Sequence, residues 1–243
     1  MIRPFATLLV LFAGICPAFD TVSSGNGVIA QLVDGDGWKT LITLVNLDNS
    51  TATYTLRFYA DNGSALAVAT SLGTVSSFTG ALPPLGSQLI ETAGLQGPLT
   101  QGWALVETSG TIGGTAVFRR VAAGQPSYEA SEPIDTHQDN RFAFPFDHVT
   151  DATGLAIVNP QGSAVSIFIT FRDEFGNAFA SDNFLIPPLA HIAVTLTSNY
   201  PQTIGRRGSF EISTGGLWVN VLGLRFGPSG VFSSVTPLVS WKW

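Results

Sequence analysis

The chain has 243 residues, 12% of them charged and 45% hydrophobic, with a formal net charge of −6. Ordinary soluble domains carry about 25% charged residues, so this surface is neutral and rich in hydroxyl and amide groups instead. Lysine occurs only at positions 39 and 242, which leaves no basic face for a phosphate backbone and excludes nucleic acid as a partner.

The first eighteen residues carry Arg3, an apolar run from Phe5 to Ile15, and then Cys16, Pro17 and Ala18. That run is shorter than the roughly 20 residues a spanning helix needs, and its order of charge, apolar stretch and small residues is that of a secretory signal. Cleavage is expected after Ala18, giving a bacterial protein secreted or held at the cell surface, with no stable transmembrane segment in the mature chain. Cys16 is the single cysteine and leaves with the signal, so neither a disulfide nor a thiolate metal site is expected. A lipid-attachment box wants a small residue before its cysteine, and Ile15 is not small. Residues 19–27 have no apolar period and are expected to form a flexible lead-in.

The rest of the chain is organised around a stretch present twice, Leu44 to Gly63 and Ile157 to Gly176. Asn46 and Asn159, Phe58 and Phe171, and Gly63 and Gly176 are all 113 positions apart. Each copy reads as a strand, a polar turn, a second strand and a closing glycine turn, which is an antiparallel unit. Upstream, Val28 to Asp34 aligns with Arg141 to Asp147 at the same spacing, giving each copy an opening strand. Period-two alternation puts Ile42 and Leu44, and Leu155 and Ile157, in the core. Asn46 and Asn159 stand where strand gives way to turn, so their amides are expected to cap backbone groups that lose ladder partners. Tyr54, Leu56 and Phe58, like Ile167, Ile169 and Phe171, form the inward face of the next strand, with Arg57 and Arg172 outward.

Farther on, Pro83-Pro84-Leu85 matches Pro187-Pro188-Leu189 at a spacing of 104, so the segment Ser64 to Leu82 holds nine extra residues, an added strand or long loop. Paired prolines cannot sit in a central strand and mark a crossing between sheets. Gly102 aligns with Gly208 and Thr115 with Val221, both at 106. Trp103 then corresponds to Ser209 on the less apolar face, where it either packs under the partner domain or stays exposed for a ligand. Ser127 to Ile134 matches Val231 to Leu238 as a last strand. The expected layout is a signal peptide at 1–18, a lead-in at 19–27, repeats at 28–134 and 141–240, a linker at 135–140 and a tail at 241–243.

About seven strands per repeat without sustained helical period is the pattern of a small β-sandwich of roughly 100 residues. The expected fold is therefore all-β, two tandem antiparallel β-sandwich domains. The strand spacing, the Val-Asn turns ending at Asn46 and Asn159 and the Pro-Pro-Leu crossings resemble the immunoglobulin-like sandwich modules strung along secreted bacterial surface proteins. More loosely, the chain resembles a class of exported two-repeat proteins of uncharacterised activity. The likeness covers most of the mature chain and implies an Ig-like sandwich; the cysteine pair and core tryptophan of antibody domains are absent.

Catalytic motifs are missing. There is no Gly-x-Ser-x-Gly, and the histidines are His137, His148 and His191. His191 aligns with Ser87 and is expected at the surface. Glu91, Glu107, Glu129, Asp173, Glu174 and Glu211 read as solvated faces rather than a hydrolytic pair. No catalytic residue is assigned and no enzyme is expected. Asp34-Gly35-Asp36-Gly37 reads as a tight turn, lacking the later oxygen ligands and the glutamate of a calcium loop. Asp135, His137 and Asp139 share one side of an extended linker, a polar linker rather than a zinc or calcium site. No metal ligand and no cofactor are assigned.

Trp38, Tyr59 and Trp103 are the candidate ligand-binding residues. Rings on a rigid sheet can stack on sugar faces, although packing between repeats is the favoured use. The expected function is an exported, non-catalytic structural, adhesion or binding module whose partner is an extracellular protein or glycan. The first alternative is a carbohydrate-binding protein or an accessory module of polysaccharide processing. The second is an outer-membrane β-barrel, suggested by the alternating apolar end that includes Trp241 and Trp243.

Overall fold

A computed structural model describes residues 21–239 apart from 24, 95, 96, 122, 123 and 125. The expected signal peptide with Cys16, and the tail with Trp241 and Trp243, lie outside the described residues.

The first half holds β1 (Thr21–Ser23), β2 (Asn26–Asp34), β3 (Trp38–Asn46), β4 (Ala52–Ala60), β5 (Val68–Thr70), β6 (Gly73–Val75), β7 (Ser77–Leu82), β8 (Ser87–Glu91), β9 (Thr100–Thr108), β10 (Thr111–Arg120) and β11 (Tyr128–Pro133). The second holds β12 (Arg141–Asp147), β13 (Ala152–Val158), β14 (Val165–Asp173), β15 (Ala178–Ile186), β16 (His191–Thr195), a single helical turn α1 (Leu196–Asn199), a 3-10 turn (Pro201–Thr203), β17 (Arg207–Thr214), β18 (Asn220–Phe226), β19 (Phe232–Val235) and β20 (Leu238–Val239). All strand pairs are antiparallel.

The order β7-β4-β9-β2 in one first-half sheet recurs as β15-β14-β17-β12 in the second half, and β8-β3-β10-β11 recurs as β16-β13-β18-β19. Eight strands correspond in this way, against about seven expected. The nine extra residues of the first half fall where β5 and β6 form a small hairpin of their own. Every sheet is open, so these strands do not form the barrel entertained from the C-terminal pattern.

Two further expectations need correction. Within the expected lead-in, β1 pairs with β10 through Thr21 and Gly113, and β2 already begins at Asn26, so these described residues belong to sheets. The alignment of β10 with β18 is off by one. Ile42 faces Ala116, and its counterpart Leu155 faces Gly223, so equivalent positions lie 107 rather than 106 apart. One additional residue in the turn before β18 produces the slip, which exchanges inward and outward sides. Gly223 rather than Leu222 therefore points into the second core, where an added Cβ would lie 2.8 Å from the Phe144 ring.

This exchange of faces matters because both faces of β13 and β18 are buried. Leu155, Ile157 and Val221 belong to the second core, together with Phe144, Phe171 and Phe210. Ala156, Val158 and Leu222 join the first core, with Leu32, Leu44, Phe58 and Phe118. Each fully buried large apolar side chain contributes roughly 1.5–3 kcal/mol, so both cores are substantial. The sheet β16-β13-β18-β19 is thus a wall shared by both, reached by β2, which packs against β13 and β18.

The turn chemistry is the same in each half. Asn46 Nδ2 donates to the carbonyls of Ser50, Leu82 and Pro83 at 2.7, 3.1 and 2.9 Å, and its Oδ1 accepts from Asp48 N at 3.0 Å. Asn159 Nδ2 donates to Ser163, Ile186 and Pro187 at 2.7, 3.1 and 2.9 Å, and its Oδ1 accepts from Gln161 N at 3.1 Å. Both asparagines are fully buried, as capping requires. The adjoining Pro-Pro-Leu segments close with Gly86 N to Pro83 O and Ala190 N to Pro187 O, which puts Leu85 at φ 56° and Leu189 at φ 57°. A left-handed leucine costs about 1–2 kcal/mol, and the chain bears it at equivalent positions in both halves.

Candidate functional site

The polar and aromatic groups singled out in the sequence converge on the joint between the halves. Trp103, opposite Tyr59 in the β4–β9 ladder, is completely buried. The two rings stack at 4.6 Å with 15° between planes, and the indole Nε1 donates to Leu189 O at 2.9 Å. Trp103 is therefore not exposed for a ligand. Its edge holds the second-half Pro-Pro-Leu turn through Leu189 O, and its face stacks on Tyr59.

Beside this stack, Asp61 Oδ1 lies 2.9 Å from His191 Nδ1, Asp61 Oδ2 accepts from Gln101 Nε2 at 2.8 Å, and His191 N donates to Asp61 O at 2.9 Å. Burial pushes the Asp61 carboxyl up, but the hydrogen bonds from His191 and Gln101 outweigh it and hold the group below its ordinary range. His191 is 2% exposed, contrary to the surface position expected from its alignment with Ser87. The equivalent Ser87 in the first half is exposed, whereas here the hairpin at Asp61–Gly63 lies against His191. Among the described residues His191 Nε2 has no hydrogen-bond partner.

Trp38 lies elsewhere along the same joint. Asp36 and Gly37, at φ 48° and 80°, are the central residues of a two-residue turn closed by reciprocal bonds between Gly35 and Trp38. The tight turn read from the sequence is thus present, and it delivers Trp38 to the start of β3. Its ring centre is 5.0 Å from that of Phe232, and the Arg120 guanidinium sits 5.5 Å above it. Trp38 also borders a cleft of about 270 Å³ between the halves, together with Gln31, Val33, Gln101, Leu222 and Phe226. The three candidate aromatics consequently form no common open platform: Tyr59, itself partly exposed, stacks on the buried Trp103, and Trp38, also partly exposed, stands apart.

Two buried ionisable groups, Glu132 and His148, were not legible as such. Glu132 points inward from β11, and its Oε1 accepts from Gln31 N at 3.1 Å. That amide is free because the β2–β9 register shifts between Ile29 and Leu32, a bulge. Burial raises the Glu132 carboxyl well above its usual range, against the bonds from Gln31 and Ala30 and with the help of the nearby Asp135 charge. His148 bridges Thr203 Oγ1 at 2.8 Å and Thr153 Oγ1 at 3.0 Å. Since the Thr203 hydroxyl donates to Tyr200 O, it accepts from Nδ1–H and leaves Nε2 to accept from Thr153. Burial lowers the His148 pKa, with Asp147 opposing. Asp135 in the linker receives Asn220 Nδ2 at 2.6 Å on one oxygen and His137 N at 2.9 Å on the other. Among the described residues no three His, Cys, Asp or Glu gather where one metal ion could hold them.

The remaining charges lie mostly in pairs between neighbouring strands. Lys39–Glu91, Arg57–Glu107 and Arg141–Glu211 are 2.6, 2.8 and 2.6 Å apart, Arg207–Asp147 is 2.8 Å, and Arg119–Glu129 and Arg225–Asp151 are also in contact.

No family model matches this chain, and no curated protein matches it. Among solved structures it is similar, at 13% identity and a TM-score of 0.17, to a Bacteroides fragilis protein named provisionally as a beta-galactosidase, over 89% of this chain and 33% of that one. It is similar at 10% identity and the same TM-score to Bacteroides uniformis beta-glucuronidase 2, over 90% of this chain and 27% of the other. The chain thus spans a third or less of either protein, and likeness at this level carries no argument about fold or activity. Among the described residues no helix is long and apolar enough to cross a membrane.

Proposed function

We propose that this chain is an exported, non-catalytic module of two tandem β-sandwich domains with an Ig-like arrangement, serving as a structural, adhesion or binding element outside the cell. The observation that carries this reading is the use made of Asp61 and His191. The arrangement closest to an acid–base pair is bonded across the joint, with both Asp61 oxygens engaged and His191 buried. Repetition of the strand order, of the asparagine caps and of the left-handed leucines supports the tandem organisation. Export is tested by N-terminal sequencing of the secreted chain, with Phe19 expected as its first residue; a mature protein retaining residues 1–18 in the cytoplasm would sink it.

A second reading, carbohydrate binding, keeps Trp38 and Tyr59, the two partly exposed rings of the three candidates. It is supported by the cleft that Trp38 borders between the halves. Titration of a glycan array, followed by tryptophan fluorescence with any sugar retained, separates the two readings. Binding abolished by Trp38→Ala with an unchanged melting temperature favours the sugar site, and an array without signal removes it.

A further inference from the structure

The joint within the chain has counterparts that stand open. Inside the chain, the Pro187–His191 segment sits on the hairpin that follows β4. Trp103 Nε1 donates to Leu189 O, His191 N donates to Asp61 O, and the fit is so close that a Cβ on Gly63 would lie 2.6 Å from Pro188 O. Strand register identifies the equivalents. Val45 faces Ser87 as Val158 faces His191, so Pro83–Ser87 is the first-half copy of the seated turn. Tyr59 faces Trp103 as Arg172 faces Ser209, so Arg172–Gly176 is the second-half copy of the seat.

Among the described residues both copies are exposed. Leu85 is 67% exposed where Leu189 is half-buried against the first core, and Ser87 is exposed where His191 is covered. On the seat, Phe175 is 88% exposed and a Cβ on Gly176 would meet nothing within 4 Å. The groups remain complementary: Ser87 and Glu174 replace the His191–Asp61 pair as hydroxyl donor and carboxylate acceptor, and Arg172 and Ser209 provide donors where Trp103 serves Leu189 O.

We propose that copies of this chain associate head to tail, the Pro83–Ser87 turn of one seated on the Arg172–Gly176 hairpin of the next. The proposal rests on the strand-for-strand equivalence of the halves in the preceding reading. Such a joint is heterologous: each addition leaves one free turn and one free seat, so growth continues unless the rotation closes a ring. With Ser209 in place of Trp103 it lacks the stacked rings and the indole bond, which makes it weaker than the internal joint and dependent on concentration.

Sedimentation velocity over about 1–100 μM, the range of weak protein contacts, tests it. The mass of the native chain is expected to rise beyond that of one copy. Leu85→Asn and Gly176→Asn are each expected to hold it at one copy. Asn tolerates left-handed backbone at both positions, so folding is preserved while the apolar tip is lost or the seat is filled. Mixing the two variants restores one good turn and one good seat, so dimers and nothing larger are expected. A native chain that stays monomeric at the top concentration, or a mixture without dimers, overturns the proposal.

A cysteine pair separates that failure from failure of the template. In a Cys16→Ser background, Asp61→Cys with His191→Cys is expected to close within one chain, and Ser87→Cys with Glu174→Cys to give a ladder of linked chains. Closure of the first without the second overturns association and leaves the internal joint standing; failure of the first removes the template itself.

Discussion

Replacing Asn159 by Asp exchanges the shared donor of a buried turn for an acceptor while leaving its shape intact. The Nδ2 it loses serves three carbonyls within 3.1 Å. Its two hydrogens make the equivalent of two good bonds, each worth about 1 kcal/mol net, and an unsatisfied buried carbonyl costs about 1–3 kcal/mol. Asn159→Ala should therefore destabilise by about 2–4 kcal/mol, and Asn46→Ala by the same amount, because the two contact sets agree bond for bond. The Asp variants add a pH dependence with a definite sign. Facing three carbonyls, the carboxyl is stabilised in its protonated form, so its folded pKa rises above the unfolded value of about 3.9. The folded state then retains a proton the unfolded state has lost, and stability falls by up to about 1.4 kcal/mol per pH unit until the folded pKa is passed. Urea unfolding of Asn46→Asp and Asn159→Asp at pH 4.5 and 7.5, each referred to native protein at the same pH, measures it. Alanine costs below about 1 kcal/mol, or Asp variants no worse at pH 7.5 than at pH 4.5, would refute the capping argument.

Glu132→Gln removes a group whose folded pKa is raised, so the native side chain favours folding most at low pH and progressively less above the unfolded value of about 4.3. The variant should gain melting temperature relative to native at pH 8 and not at pH 4; calorimetry showing the reverse order would mean that the carboxylate, not the acid, fits the bulge. Asp61→Asn acts in the opposite sense: a lowered folded pKa stabilises above the unfolded value and is lost as pH falls through the folded one, so the variant should be weaker than native at neutral pH and equal to it in strong acid. Trp103→Ala empties a fully buried site and should cost about 3–5 kcal/mol in chemical denaturation, whereas a neutral result would mean the joint is not closed. Gly63→Asn should destabilise the chain where Gly176→Asn does not, because only the first meets a carbonyl; equal melting temperatures would contradict the seating of Pro188.

The features legible in the sequence are those fixed over short stretches. Asn46 and Asn159 could be read as caps because the strand end, the amide and the following turn are contiguous, and the Pro-Pro-Leu crossings declare themselves by two rings that cannot donate. The joint was out of reach. Trp103 and Leu189 are 86 positions apart, and nothing local to either says they touch. Comparison of copies even misled at His191, since a position exposed in one half is sealed in the other by a hairpin the alignment cannot see. Glu132 was hidden because its need arises in another strand, at the bulged amide of Gln31. The slip between β10 and β18 shows the limit of sequence spacing: one residue in a turn altered which of Leu222 and Gly223 belongs to which core.

The wall made by β16, β13, β18 and β19 has a consequence for the order of assembly. A chain synthesised from its amino end completes the strands of the first half long before the surface that faces Val33 and Phe118 exists. Those strands must wait, loosely held, for residues made a hundred positions later, and the finished molecule should melt as a single unit although its strands are laid out as two.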